Sequence, residues 1–173
     1  MFVTVWLGIL NVPTGQIVCA NAGHEHPALM RNGKAFELIK ERHGFVLGGM
    51  DGMTYVEYTI ELNAGDTLFL YTDGVPEAAR EDGAMYGLER MLTTLNAGNH
   101  PDCRTLLDNI YRDTCCFTED APAFDDLTML CLQINPLWTA DAMRLVPDSQ
   151  SVELAISYLD SMLKDSVMPE RMM

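Results

Sequence analysis

Thr67-Leu68-Phe69-Leu70-Tyr71-Thr72-Asp73-Gly74-Val75-Pro76-Glu77-Ala78 joins an apolar run to an abrupt polar stop. Residues 67–71 are short, apolar and β-favouring, the composition of a buried strand. Thr72-Asp73-Gly74 ends the run, so Asp73 stands as a carboxylate at the mouth of a core strand. Gly74 allows a sharp turn or a close approach of the backbone. A carboxylate held out of water is strongly destabilising unless something pairs with it, so Asp73 is expected to have a partner. A divalent cation is one candidate. A helix N-terminus or a loop amide is the other, and Asp-Gly is also an ordinary turn signal.

Asp125-Asp126-Leu127-Thr128-Met129-Leu130-Cys131-Leu132-Gln133-Ile134 mirrors that stretch in reverse, with two carboxylates entering an apolar strand. If the two strands are antiparallel neighbours, Asp73 and Asp125 share one edge of a sheet. Carboxylates that close repel unless one is protonated or a cation lies between them. Hard oxygen donors at a wet sheet edge suit Mg²⁺ or Mn²⁺ rather than zinc.

Working outward, residues 3–10 and 16–22 read as two strands joined through Val12-Pro13-Thr14-Gly15, and the first of them reads as core. A chain that opens inside a core strand implies that something upstream is missing. Asn21-Ala22-Gly23-His24-Glu25-His26-Pro27 makes a polar corner. His24, Glu25 and His26 form a tempting metal cluster, but corner packing is the preferred reading. Asn32-Gly33 is a strong hairpin signal between residues 28–31 and 35–39. Residues 41–53 carry Gly44, Gly48, Gly49 and Gly52, read as a plain connection in preference to a flap over substrate. Val56, Tyr58, Ile60 and Leu62 share one face of a strand, expected to pair antiparallel with 67–71 across a short turn.

Two packing helices follow. Leu88, Met91, Leu92 and Leu95 have helical spacing. Asp102 can cap a second helix whose stripe is Leu106, Leu107, Ile110, Tyr111 and Cys115. After Asn135-Pro136 the character changes. Residues 143–146 read as a short strand, and a helix carries Val152, Ile156, Leu159 and Leu163.

The chain has 173 residues, 48% of them apolar, enough for one domain with a real core. A net charge of −14 argues against nucleic acid and anionic membrane as partners. The apolar N-terminus has no basic leading region and is too short to span a bilayer. Cys19, Cys103, Cys115, Cys116 and Cys131 contain no Cys-x-x-Cys pair, and they fit reduced thiols in a cytoplasmic protein.

Asn21-Ala22-Gly23-His24 with Pro27, then Tyr71-Thr72-Asp73-Gly74-Val75-Pro76-Glu77-Ala78, then Phe124-Asp125-Asp126-Leu127-Thr128, occur in the order and rough spacing of a known family. Together they resemble the SpoIIE-type branch of the PPM, metal-dependent Ser/Thr protein phosphatases, over residues 1–135. The resemblance implies an α/β fold of the α+β kind, an α-β-β-α sandwich of mainly antiparallel sheets, here without its first strands and helices. It implies two divalent ions, Mn²⁺ or Mg²⁺, that activate a water for in-line attack on a phosphoserine or phosphothreonine, with no side-chain nucleophile. Asp73 and Asp125 resemble metal ligands of the family, and Gly74 and Asp126 resemble residues that support the site. The implied substrate is a phosphorylated STAS-type anti-anti-sigma protein of a bacterial partner-switching pathway.

The family's bridging Asp, in a Gly-Asp motif on an early strand, has no counterpart here, so weak or absent activity is expected of this chain alone. The alternative is a non-catalytic PPM-fold interaction module that forms a homodimer. Residues 136–173 form a C-terminal extension that weakly resembles the start of a GHKL-type ATPase domain of the anti-sigma kinase sort. A helix that docks on the phosphatase core is the other reading of that tail.

Overall fold

The computed structural model describes residues 2–98, 102–119, 121 and 125–135. The expected strand and helix of the tail lie outside these residues. Seven strands and two helices are described: β1 (Val5–Asn11), β2 (Gln16–Ala22), β3 (Ala28–Met30), β4 (Phe36–Leu38), β5 (Glu57–Glu61), β6 (Thr67–Tyr71), α1 (Gly87–Asn96), α2 (Cys103–Thr118) and β7 (Met129–Gln133). They form two antiparallel sheets, ordered β1-β2-β5 and β4-β3-β6-β7.

Two of the three expected antiparallel pairings across a short turn form. Asn11 pairs with Gln16 across the Pro13 loop. Ala28 pairs with Leu38 around a turn in which Gly33 takes φ 74°, a value glycine reaches without a Cβ penalty.

The core lies in two slabs. Ile17, Cys19, Leu29, Ile60, Leu62, Leu68 and Ile134 fill the space between the sheets. Phe36, Phe69, Tyr71, Met91, Leu95, Leu106 and Ile110 belong to a second cluster, on the helix side of the β6 sheet. Alternation along β6 explains this, because Leu68 points into one slab while Phe69 and Tyr71 point into the other. The strand is thus covered on both faces, as its unbroken apolar run requires. Three layers of the expected four-layer sandwich, β-β-α, are present among the described residues.

Two expectations about the strands need correcting. β5 and β6 are not neighbours, because β5 pairs with β2 while β6 pairs with β3 and β7. The short connection between them crosses from one sheet to the other. Asp66, only 2% exposed, anchors that crossing. Its carboxylate accepts from Arg31 Nη1 at 2.7 Å, from Asn32 N at 2.9 Å and from Asn63 N at 2.9 Å. The first strand is also core on one face only. Among the described residues β1 has β2 as its one strand neighbour. Trp6 and Leu10 pack against the cluster between the sheets, while Leu7 (57% exposed) and Ile9 (66% exposed) lie on the opposite, open face.

The helices sit where their spacing puts them. Asp102 caps α2, its side chain accepting from Thr105 N at 2.7 Å. The buried stripe of α2 is Leu106, Ile110 and Thr114. Tyr111 and Cys115, expected on that stripe, are exposed. The i, i+4 line through 106, 110 and 114 faces the sheet, and 111 and 115 lie one step around the helix. α1 and α2 are joined by Asp113, which accepts from Arg90 Nη2 at 2.7 Å, from Thr94 Oγ1 at 2.7 Å and from Tyr86 Oη at 2.7 Å. No helix among the described residues is long and apolar enough to cross a membrane.

Candidate functional site

β6 and β7 pair antiparallel in the register Tyr71↔Met129, so the end of one strand meets the start of the other. Beyond the last ladder pair the two chains stay clamped. Thr72 N donates to Thr128 O at 3.0 Å. Thr128 N donates to Thr72 Oγ1 at 3.2 Å, and Thr72 Oγ1 donates to Asp126 O at 3.2 Å. Gly74 then passes directly over the Asp126 carbonyl, so closely that a Cβ there would collide with it. The Asp73-Gly74 and Asp125-Asp126 motifs therefore lie at one mouth of one sheet, the juxtaposition that the sequence requires for a shared cation.

Each expected residue has a definite place in this mouth. Asp73 and Asp125 are both exposed. The Oδ1 of Asp125 accepts from Asp126 N at 2.7 Å, which fixes its carboxylate close to the chain. Gly74 and Asp126 meet through backbone, Gly74 by its missing side chain and Asp126 by its carbonyl. Because Asp73 is exposed, water solvates it, and the desolvation argument for a necessary partner does not apply to it.

The donor chemistry suits a hard divalent cation, since two water-accessible carboxylates can each give an oxygen while water completes the shell. Among the described residues no group of three or more His, Cys, Asp or Glu is arranged to hold a metal. The third ligand that a bridged metal pair would use is thus not found among the described residues. The chain's one Gly-Asp pair, Gly65-Asp66, does not supply it, because Asp66 is the buried anchor of the sheet crossing.

The histidine corner is built for packing. Asn21 Oδ1 accepts from His24 N at 2.8 Å, and Asn21 Nδ2 donates to His24 O at 3.0 Å. His26 packs edge-on against His43 with ring centroids 5.1 Å apart. Burial, reinforced by His43, pushes the His26 imidazole below its usual value. The glycine-rich connection is tied to the first sheet at two points. Gly44 N donates to Asn21 O at 2.8 Å, and Leu47 and Val3 exchange backbone hydrogen bonds of 2.8 and 2.9 Å.

One feature of the site escaped the sequence. A cleft of about 300 Å³ opens beside the mouth, reaching from Gly74 and Asp125 to the outer side of α2. Tyr111 and Cys115 line it, which is where these two side chains go instead of into the core. Their departure from the buried stripe is the signal that points to it.

Comparison with known proteins follows the same boundaries. The family described as Stage II sporulation protein E (SpoIIE) matches residues 1–135. Protein IcfG of Synechocystis sp. is 29% identical over 135 residues, 78% of this chain and 21% of that protein. Phosphoserine phosphatase RsbU of Bacillus subtilis is 28% identical over 138 residues, 77% of this chain and 39% of that protein. The chain thus spans about a fifth and about two fifths of these relatives. Among solved structures, the phosphatase domain of the cell fate determinant SpoIIE from Bacillus subtilis, presoaked with Mn, shares the fold. The TM-score is 0.60 at 16% identity, over 77% of this chain and 57% of that one. The family match ends at residue 135 and lends nothing to the GHKL resemblance of the tail.

Proposed function

We propose, because this chain belongs to the Stage II sporulation protein E (SpoIIE) family, that residues 1–135 act as a metal-dependent phosphoserine/phosphothreonine protein phosphatase domain. The pathway is bacterial partner switching, and the substrate is a phosphorylated anti-anti-sigma protein of the STAS type. The observation that carries this reading is the β6–β7 register, which supports a cation shared by Asp73 and Asp125. Mn²⁺ or Mg²⁺ there supplies charge neutralisation at the phosphoryl group and a more acidic water. Asp73 and Asp125 hold the ion. Gly74, Asp126 and the Thr72–Thr128 clamp keep the two carboxylates at one mouth. The five cysteines are free thiols, which supports a reducing, cytoplasmic setting.

The test is a calorimetric Mn²⁺ titration of the whole chain, followed by p-nitrophenyl phosphate turnover in the same buffer. Asp73→Asn should weaken Mn²⁺ by roughly 100-fold or more, beyond what loss of an outer-shell partner costs. Unchanged affinity overturns the shared site.

A second reading is favoured by the exposed apolar face of Leu7, Ile9 and Val18, and by the lack, among the described residues, of a group of three or more acidic or other metal-ligating side chains. It makes the chain a non-catalytic interaction module that dimerises through this face. Light scattering decides it, because a monomer at all concentrations, together with phosphate release, removes this reading.

A further inference from the structure

The cleft beside the mouth has two chemically different parts. Its walls are made by Ala78, Leu127, Tyr111 and Cys115, a mostly apolar surface. Tyr111 is 55% exposed, a large aromatic turned out of the core stripe and into this opening. Its rim carries Glu77 and Glu119, both exposed, and no Lys or Arg lines the cleft among the described residues. Arg80 approaches Glu119 at 3.9 Å, an exposed pair that solvent screens. Asp125 closes the end nearest the mouth.

A cleft with apolar walls and a few placed polar groups is the ordinary make-up of a binding site. The charges decide which way an occupant lies. A phosphate dianion is repelled by Glu77 and Glu119 and is better accommodated at the mouth, where a bound cation would offset the charge of Asp73 and Asp125. The glutamates favour a cation on the part of the occupant that lies along the cleft. The walls favour an aliphatic side chain, which buries apolar area there.

We propose that this cleft seats the polypeptide flanking the phosphorylated residue, taking an aliphatic side chain between Tyr111, Cys115 and Leu127 and a neighbouring Lys or Arg at Glu77 and Glu119. The identity of the occupant rests on the phosphatase reading. The cleft is a specificity site for that reaction, and it makes the enzyme discriminate among phosphoproteins by what stands beside the phosphate.

The experiment uses the whole chain with Mn²⁺ and two dye-labelled phosphoserine peptides. One has leucine and lysine on both sides of the phosphoserine, and the other has glycine and glutamate there. Anisotropy reads binding, and phosphate release reads turnover, with p-nitrophenyl phosphate as the substrate that lacks any flank. The leucine-lysine peptide should bind about tenfold more tightly, the scale set by one apolar group in a fitted pocket. Cys115→Trp fills the cleft from an exposed helix position. It should raise the peptide's KM and lower the ratio of peptide to p-nitrophenyl phosphate efficiency by about the same factor. Glu77→Lys with Glu119→Lys should reverse the preference between the two peptides, which a merely misfolded protein cannot do.

Equal binding of the two peptides, or a preference unmoved by both variants, overturns the cleft while leaving phosphate release intact. Peptide discrimination that responds to the variants, with neither turnover nor Mn²⁺ binding, upholds the cleft as a peptide site and removes the phosphatase reading instead.

Discussion

Gly74 and the Asp126 carbonyl touch backbone to backbone, so neither side of the contact has a flexible end that could yield. Gly74→Ala should therefore prise the β6–β7 mouth open, costing roughly 1–3 kcal/mol as overpacking does. Urea unfolding measures the loss, and the Mn²⁺-dependent rise in melting temperature should shrink with it. Asp66→Ala should cost more for its size, roughly 3 kcal/mol, because it strands the amides of Asn32 and Asn63. The acidic motifs were legible because each sits where an apolar run stops or starts, and antiparallel pairing then brings the two ends together. How deep Asp73 lies was not legible, since the end of a hydrophobic run fixes a position along the strand and not its depth below the surface. Tyr111 and Cys115 were misread for a related reason. An apolar stripe of five residues is wider than the line that touches the sheet, and only packing decides which margin stays outside.

Asp102→Ala should lower the melting temperature, because the Thr105 amide in the first turn of α2 loses the side chain that accepts from it, and thermal unfolding reads the loss. Arg90→Ala removes a partner from Asp113 and the cation lying over the Phe117 ring at 4.9 Å. With Arg90 at 44% side-chain exposure, solvent screens the pair and the loss should be roughly 1 kcal/mol. The hairpins and both helices were written in local signals, namely Pro13-Thr14-Gly15, Asn32-Gly33 and the cap at Asp102. The partnership of β5 was not. A short link between two strands ordinarily means a hairpin, and nothing in Asn63-Ala64-Gly65-Asp66 announces that Asp66 will be clasped by Arg31 from another hairpin. That clasp is a long-range fact, made of residues 35 positions apart.

For the molecule as a whole, two carboxylates tie stability to pH. Hydrogen bonds from Arg90 first, then from Thr94 and Tyr86, hold Asp113 well below the usual carboxylate range against the opposing effect of burial. Burial pushes Asp66 upward, but the Asn63 and Asn32 amides and Arg31 outweigh it and leave it lowered. A depressed folded value contributes stability that is present above the unfolded value and lost as pH falls through the folded one. The stability gap between wild type and Asp113→Asn should thus be constant near neutrality and close as pH drops below about 4. A gap that persists into stronger acid would show that the carboxylate's charge is not its source. The free thiols add a simpler expectation, that reducing agent leaves the melting temperature unchanged.

The pairing of β6 with β7 has a further consequence, for synthesis rather than for the finished fold. The two strands are partners although almost sixty residues separate Tyr71 from Met129. Such high contact order slows folding, because a long loop must close before its contacts are gained. On the ribosome, at about 5–20 residues per second, β6 emerges several seconds before the strand that completes its sheet. During that interval one edge of β6 lacks its partner strand, and the acids that flank it are charges of the kind that disfavour pairing elsewhere.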